Sequence, residues 1–222
     1  MERKNEVQGL LCGALQVIIQ KLDDGVVTPH ADALMSLFLQ VHTHTRTIGT
    51  HTHTHDANHT NTPTHPRHNT QVLHSKTATV HEEALNGIGA IAARVGIQFE
   101  KYLNAFRPYL MLGLQNAAEH HVCIMTVGVV SEMSRALNDK MAPLCDDIMR
   151  VLLHNLQNPD LERSVKPHII SCLSDLSLAV GGYFERYLPF VMMMLVQASQ
   201  IKLDETDYDN HDYLNKLRCG AY

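Results

Sequence analysis

The chain has 222 residues, 45% of them hydrophobic, with a formal net charge of −5, five Cys and no Trp. That is enough apolar sequence for a buried core, which excludes disorder throughout. No apolar run is long enough to cross a bilayer, and 5% aromatic residues do not suit a β-sandwich, so a mostly helical chain is expected.

Helical periodicity places the first helix pair at residues 7–22 and 31–41, with Gly25 and Pro29 in the turn between them. Met1 to Val7 is charged rather than basic and then apolar, so no secretory signal is expected.

Residues 42–81 differ in composition from their surroundings. They hold ten of the 16 His and twelve Thr, with alternating runs at His42-Thr43-His44-Thr45 and His51-Thr52-His53-Thr54-His55. Few apolar residues interrupt the tract and Pro63 and Pro66 fall within it, so it is expected to have no fixed fold. Imidazoles at i and i+2 of an extended chain share one side and suit zinc, copper or nickel, but no second ligand group at a defined spacing supports a particular ion. An (AC)n dinucleotide repeat translates as Thr-His alternation in every frame of that strand, and Asn58 to Pro66 can be spelled with A and C alone. The tract is therefore read as translated simple-repeat DNA, with a natural flexible spacer and a selected metal site as the alternatives.

After the tract the chain repeats itself. Val95-Gly96-Ile97-Gln98-Phe99-Glu100-Lys101-Tyr102-Leu103 matches Val180-Gly181-Gly182-Tyr183-Phe184-Glu185-Arg186-Tyr187-Leu188, an offset of 85. Intermediate matches, such as Leu114-Gln115-Asn116 with Leu156-Gln157-Asn158, halve that to a unit of about 42 residues, in the range of HEAT and armadillo repeats. First helices are predicted at 82–95, 119–137 and 164–180, and second helices at 99–115, 141–156 and 183–199. Gly96, Asn138-Asp139 and Gly181-Gly182 sit in the turns within units. Pro143, Pro167 and Pro189 fall near helix starts, where a missing donor is harmless, whereas Pro108 is expected to kink or restart its helix. The expected organisation is a first helix pair at 1–41, a disordered insert at 42–81, three HEAT-like pairs at 82–207 and the truncated start of a further repeat at 208–222. The fold class is all-α: a HEAT-repeat α-solenoid, a right-handed superhelix of antiparallel helix pairs.

No constellation reads as an active site or a metal centre, and no cofactor is expected. His120-His121 lies beside Glu119, but adjacent helical positions point in different directions and no zinc signature follows. The carboxylates after Cys145 would raise its pKa, so that residue reads as core. The other Cys are widely spaced and mostly set among apolar residues, and they read as reduced thiols of a cytosolic or nuclear protein. Met192-Met193-Met194 reads as a helix buried on several sides rather than an adaptable groove. Asp146 and Arg150, spaced i,i+4, read as a solvated pair.

Without residues 42–81, which hold three basic residues and one acid, the formal charge falls to −7. Five acids crowd 204–212 with no Lys or Arg among them. Basic protein ligands are favoured by this charge, and nucleic acid is disfavoured. Leu10-Leu11-Cys12-Gly13-Ala14-Leu15-Gln16, Val122-Cys123 through Arg135-Ala136-Leu137, Arg163-Ser164-Val165-Lys166-Pro167, Gln197-Ala198-Ser199-Gln200 and Asp207-Tyr208-Asp209 with Asp212-Tyr213-Leu214-Asn215 resemble the importin beta (karyopherin beta) family, in the C-terminal part of its HEAT array. The resemblance runs in order over residues 7–41 and 80–218, and residues 42–79 have no counterpart in it.

The resemblance implies a non-enzymatic nuclear import receptor of cytoplasm, nucleus and nuclear pore. In the family, an acidic inner surface of second helices wraps the basic segment of importin alpha or of cargo. Asp146 and Asp147, on a second helix, are the candidate residues for such a surface. Ran GTPase and nucleoporins are partners of the full-length family, held mainly by N-terminal repeats that the resemblance does not cover. The competing readings are a general HEAT scaffold subunit and a non-functional gene-model fragment. Amplifying the transcript across codons 41–80 tests the insert: a product shorter by most of the tract is expected, and a single full-length product rules the repeat-DNA origin out.

Overall fold

A computed structural model describes residues 2–50, 67–203 and 207–221, with side chains for 6–40, 81–203 and 207–220. Its ten α-helices among these residues are α1 (Glu2–Lys21), α2 (Asp24–Val27), α3 (Ala31–Thr50), α4 (Arg67–Val95), α5 (Leu103–Leu114), α6 (His120–Leu137), α7 (Ala142–Gln157), α8 (Val165–Val180), α9 (Leu188–Ser199) and α10 (Tyr208–Ala221). No strand occurs among the described residues, and the helices form antiparallel pairs of HEAT type. Two compact units divide the chain, Met1–Arg94 and Val95–Tyr222.

In the first unit, Cys12 and Ile19 of α1, Met35 and Phe38 of α3 and Leu85, Ile88 and Ile91 of α4 are buried, at the three- and four-residue spacing of one helix face. Gly87 lets α4 lie directly on the Phe38 ring, which a Cβ would overlap. Arg94 closes the unit by donating to the Gln20 carbonyl and pairing with Asp24 at 3.5 Å. The expected boundaries at 41 and 82 are exceeded on both sides. The α3 backbone continues to Thr50 and α4 starts at Arg67, so residues 42–50 and 67–81 are helical where no fixed fold was expected. Neither Pro nor Gly occurs from Ala31 to Ile48, and Thr and His are less favourable than Ala by only about 0.6 kcal/mol per residue. The middle of the tract, 51–66, lies outside the described residues.

The second unit stacks its repeats in two rows. First helices α6, α8 and α10 pack in succession, and second helix α5 packs on α7. α6 buries Val122, Cys123, Val127, Val130, Met133 and Leu137, and α7 buries Leu144, Cys145, Ile148, Met149, Leu152 and Leu156. Gly113 of α5 abuts the Thr126 side chain of α6, where a Cβ would not fit. Buried polar groups are satisfied: the Thr126 and Ser134 hydroxyls donate to carbonyls four residues back at 2.7 and 2.8 Å. The Asn155 amide of α7 donates at 2.7 Å to the Leu114 carbonyl, one of the last four of α5, which lack helical partners.

The three turns that follow α4, α6 and α8 use one backbone device, which the turn between α1 and α3 lacks. A residue with positive φ follows the first helix at Gly96 (55°), Asn138 (50°) and Gly181 (53°), 42 and 43 residues apart, and a 3₁₀ segment then leads into the second helix. ψ is −125° at Asn138 and −127° at Gly181, a conformation in which a Cβ is strained. The 3₁₀ segments thus take up residues 99–102 and 183–187, which the sequence read as the start of the second helices.

Two further expectations are corrected. Of the kink or restart expected at Pro108 the restart does not occur, since α5 runs through it from Leu103 to Leu114. The carbonyl it leaves unpaired belongs to Asn104, an exposed residue that water can reach. Met192 and Met193 are 49% and 44% exposed rather than buried, because α9 buries only Val191 and Ala198 and no described element covers its outer side. Among the Cys, Cys219 is exposed and the other four are buried as expected. Replacing Asn138 with Gly, the residue its two counterparts carry, is expected to stabilise the chain by about 1 kcal/mol. In a circular-dichroism melt this reads as a rise of about 2–4 °C in Tm, and a fall would contradict the strain assignment.

Candidate partner-binding surface

The two acids singled out from sequence are neighbours on α7 that face different repeats, and each is already engaged by its own chain. Asp146 accepts from the Tyr187 hydroxyl and from Tyr183 Oη at 3.2 Å, and its Oδ1 lies 3.3 Å from Arg186 Nη2. Arg186 in turn stacks over the Tyr183 ring at 3.9 Å and nears the Tyr187 ring at 5.4 Å. The three donors lie on the 3₁₀ segment Gly181–Tyr187, whose tight turn brings Tyr183, Arg186 and Tyr187 to one side. Asp147 pairs with Arg107 of α5 and, at 2.5 Å, with Arg150. The expected Asp146 to Arg150 pair is therefore replaced by Asp147 to Arg150, spaced i,i+3, while Asp146 turns to the next repeat.

These contacts belong to a series. Glu100 with Lys140 (3.7 Å), Arg107 with Asp147, Arg135 with Asp175 (2.9 Å) and Asp146 with Arg186 each join residues 40 positions apart. A helical repeat with a unit of 42 to 43 residues puts positions near that offset on adjoining helices, so opposite charges one repeat apart are the signal that would have found them in the sequence. Exposed pairs of this kind add little to stability, so the series orients repeats more than it stabilises them.

The 204–212 acids are likewise partly structural. Residues 204–206 lie outside the described residues. The Asp207 carboxylate accepts the Asp209 amide at 3.1 Å as an N-cap of α10, and Asp212 pairs with Lys216 at 2.6 Å. Beside them a cleft of about 290 Å³ opens between Glu162, Arg163 and His168 on one side and Asp209, Asp212 and Tyr213 on the other. Arg163 spans it, 5.1 Å from the Tyr213 ring and donating to Asn210 at 2.7 Å. Its lining mixes acids and bases.

Nothing in this arrangement resembles a nucleophile or a metal centre. Burial pushes the Cys123 and Cys145 thiols up to about 11 and Cys172 to about 12, leaving them protonated and unreactive at neutral pH. No cluster of three metal-ligating groups occurs among the described residues. The His120 and His121 rings lie 4.2 Å apart rather than diverging, because they occupy the first turn of α6, after a non-helical Glu119. The side chains of the histidine tract from 42 to 80 lie outside the described residues.

The Tyr187 hydroxyl, followed by Arg186 and the Tyr183 hydroxyl, holds the Asp146 carboxyl below its ordinary value of 3.8. A carboxyl depressed in the folded state stabilises the fold above its unfolded pKa, and the contribution is lost as pH falls through the lower, folded value. Asp146→Asn is therefore expected to lower Tm at neutral pH, with the gap from the parent chain closing below the ordinary carboxylate range. Melts of both chains across that range check it, and a gap independent of pH would refute the assignment.

Residues 69–222 match the family model described as "Importin subunit beta-1-like, TPR repeats". The observed spacing of 42 to 43 residues exceeds the roughly 34 of a tetratricopeptide unit and agrees with HEAT repeats. Importin subunit beta-1 of Arabidopsis thaliana is 40% identical over 225 residues, covering 99% of this chain and 22% of that protein. A crystal structure of importin beta superposes with a TM-score of 0.78 at 31% identity, over 98% of this chain and 22% of the other. A chain solved as a Kap95:Nup1 complex superposes at 0.75 with 27% identity, again over 98% and 22%. The chain thus spans about a fifth of the length of the relatives it matches, and along nearly all of its own length it belongs to the importin beta family.

Proposed function

We propose that the chain is a segment of a nuclear transport receptor that binds importin alpha, or a basic segment of cargo, through an acidic face of its helix pairs and without chemistry of its own. Family membership over 99% of the chain carries the reading. The formal charge of −5, with acids gathered at Asp146, Asp147 and 204–212, supplies the complementarity that a basic ligand needs. Asp146 and Asp147 contribute by exchange: an incoming cation displaces Arg186 or Arg150 rather than meeting a bare carboxylate. That exchange keeps the individual contacts weak and favours many of them over a few strong ones.

Kap95 is observed with Nup1, and a nucleoporin is accordingly a second partner proposed for this chain, with Ran GTPase belonging to the fuller receptor. The corresponding location is cytoplasm, nucleus and the nuclear pore. Fluorescence anisotropy of the labelled basic segment of importin alpha tests the reading. The expected result is a Kd of about 1 μM or tighter at about 50 mM salt, weakening strongly near 500 mM as screening shortens to a few ångströms. Absence of binding at low salt overturns it in favour of a scaffold without transport partners.

A further inference from the structure

The two joints between second helices in the Val95–Tyr222 unit are built differently. Between α5 and α7 the helices pack along each other, the Asn155 amide of α7 reaches the buried end of α5, and Leu103 at the start of α5 is only 8% exposed. α7 and α9 share far less direct packing. Leu188, the counterpart of Leu103, is 46% exposed, and the outer α7 residues Pro143, Asp146, Arg150 and His154 are all exposed. What reaches across from α7 to the segment that opens into α9 is the Asp146 carboxylate with its three donors, Tyr183, Arg186 and Tyr187.

We infer that this cluster is a latch: Asp146, gripped by Tyr183, Arg186 and Tyr187, fixes the angle between α7 and α9, so that this joint is set by charge where the preceding one is set by packing. The carboxylate side chain is 54% exposed and Arg186 48%, so salt and competing cations reach both partners. A hydrogen-bonded cluster of this kind is directional, and losing it frees a rotation that an apolar contact of the same size would still resist. At the α5/α7 joint the Arg107 to Asp147 pair is backed by buried side chains, and its loss leaves the helices in place. The inference rests on this geometry and stands or falls independently of the transport reading.

Electron-spin distance measurements on the full chain test it. One label pair at His154 and Gln197 reports α7 against α9, and a second at Leu112 and Gln157 reports α5 against α7; all four positions are exposed. Cys219→Ser removes the one exposed thiol. The expected result is that Asp146→Asn, and separately about 1 M salt, broaden the first distance or shift it by about 2 Å, the scale of a helix displacement at an interface, while the second stays narrow. Tyr187→Phe keeps the ring and its packing against Phe184 and removes only the hydroxyl, so it is expected to give a smaller change in the same direction. A first distance that stays narrow and unmoved in both variants and at high salt overturns the latch, as does an equal change at both joints.

Discussion

At positions 138 and 181 the backbone must reverse between the two helices of a pair, and it does so through φ values of 50° and 53°, close to the 55° of Gly96 at the head of the unit. The rest of the second unit follows from that repeated turn. Because the same reversal recurs at nearly equal spacing, the first helices fall into one row and the second helices into another, and each apolar stripe meets its counterpart in the next repeat. Helices of 12 to 18 residues, marginal in isolation, are held by this mutual burial rather than by propensity. The turn is therefore a condition for the core as well as a connection. One of the three positions carries Asn, which tolerates positive φ better than other side chains but still has a Cβ to accommodate.

Most of this architecture was legible in the amino-acid order, because a solenoid repeats its signals. The Val-Gly start of the turn recurs 85 residues on, and α6, α7 and α8 begin and end within a residue or two of the expected boundaries. Legibility failed where a property depends on what lies beyond the helix. Met192 and Met193 have the pattern of a buried segment, and the pattern does not show whether a neighbour is there to cover it. Pro108 has a strong local rule against it, and the solvent exposure of Asn104 relaxes that rule. In the histidine tract, composition spoke against order on grounds of burial, yet a helix already nucleated by Ala31 to Val41 needs only modest propensity to continue.

Asp146 and Asp147, read from sequence as candidates for a ligand surface, have intramolecular partners that the sequence reading did not include. Their acidic character on a second helix was visible in sequence. Their intramolecular partners were hidden because Arg107 and Arg186 lie 40 residues before and after, far outside the span over which helical charge pairs are usually sought. With those partners in place, the carboxylates already serve the neighbouring repeats, and under the proposed function a cation from solution competes for them. Surface charge in such a chain is thus also a statement about the joint beneath it.

The buried amide of Asn155 has a consequence of another kind. Its bond to the Leu114 carbonyl spans 41 positions and pairs a buried donor, but only at one alignment of the two helices. Sliding α7 by a single residue would carry the amide about 100° around the helix and strand it in an apolar interior, at a penalty of about 1–3 kcal/mol, while the Leu114 carbonyl would keep only the Cys123 thiol at 3.4 Å. Apolar stripes alone tolerate such slips, since one Leu packs much like another. In a stack whose repeats are similar enough to be mistaken for one another during folding, Asn155 works as a key that only one partner fits.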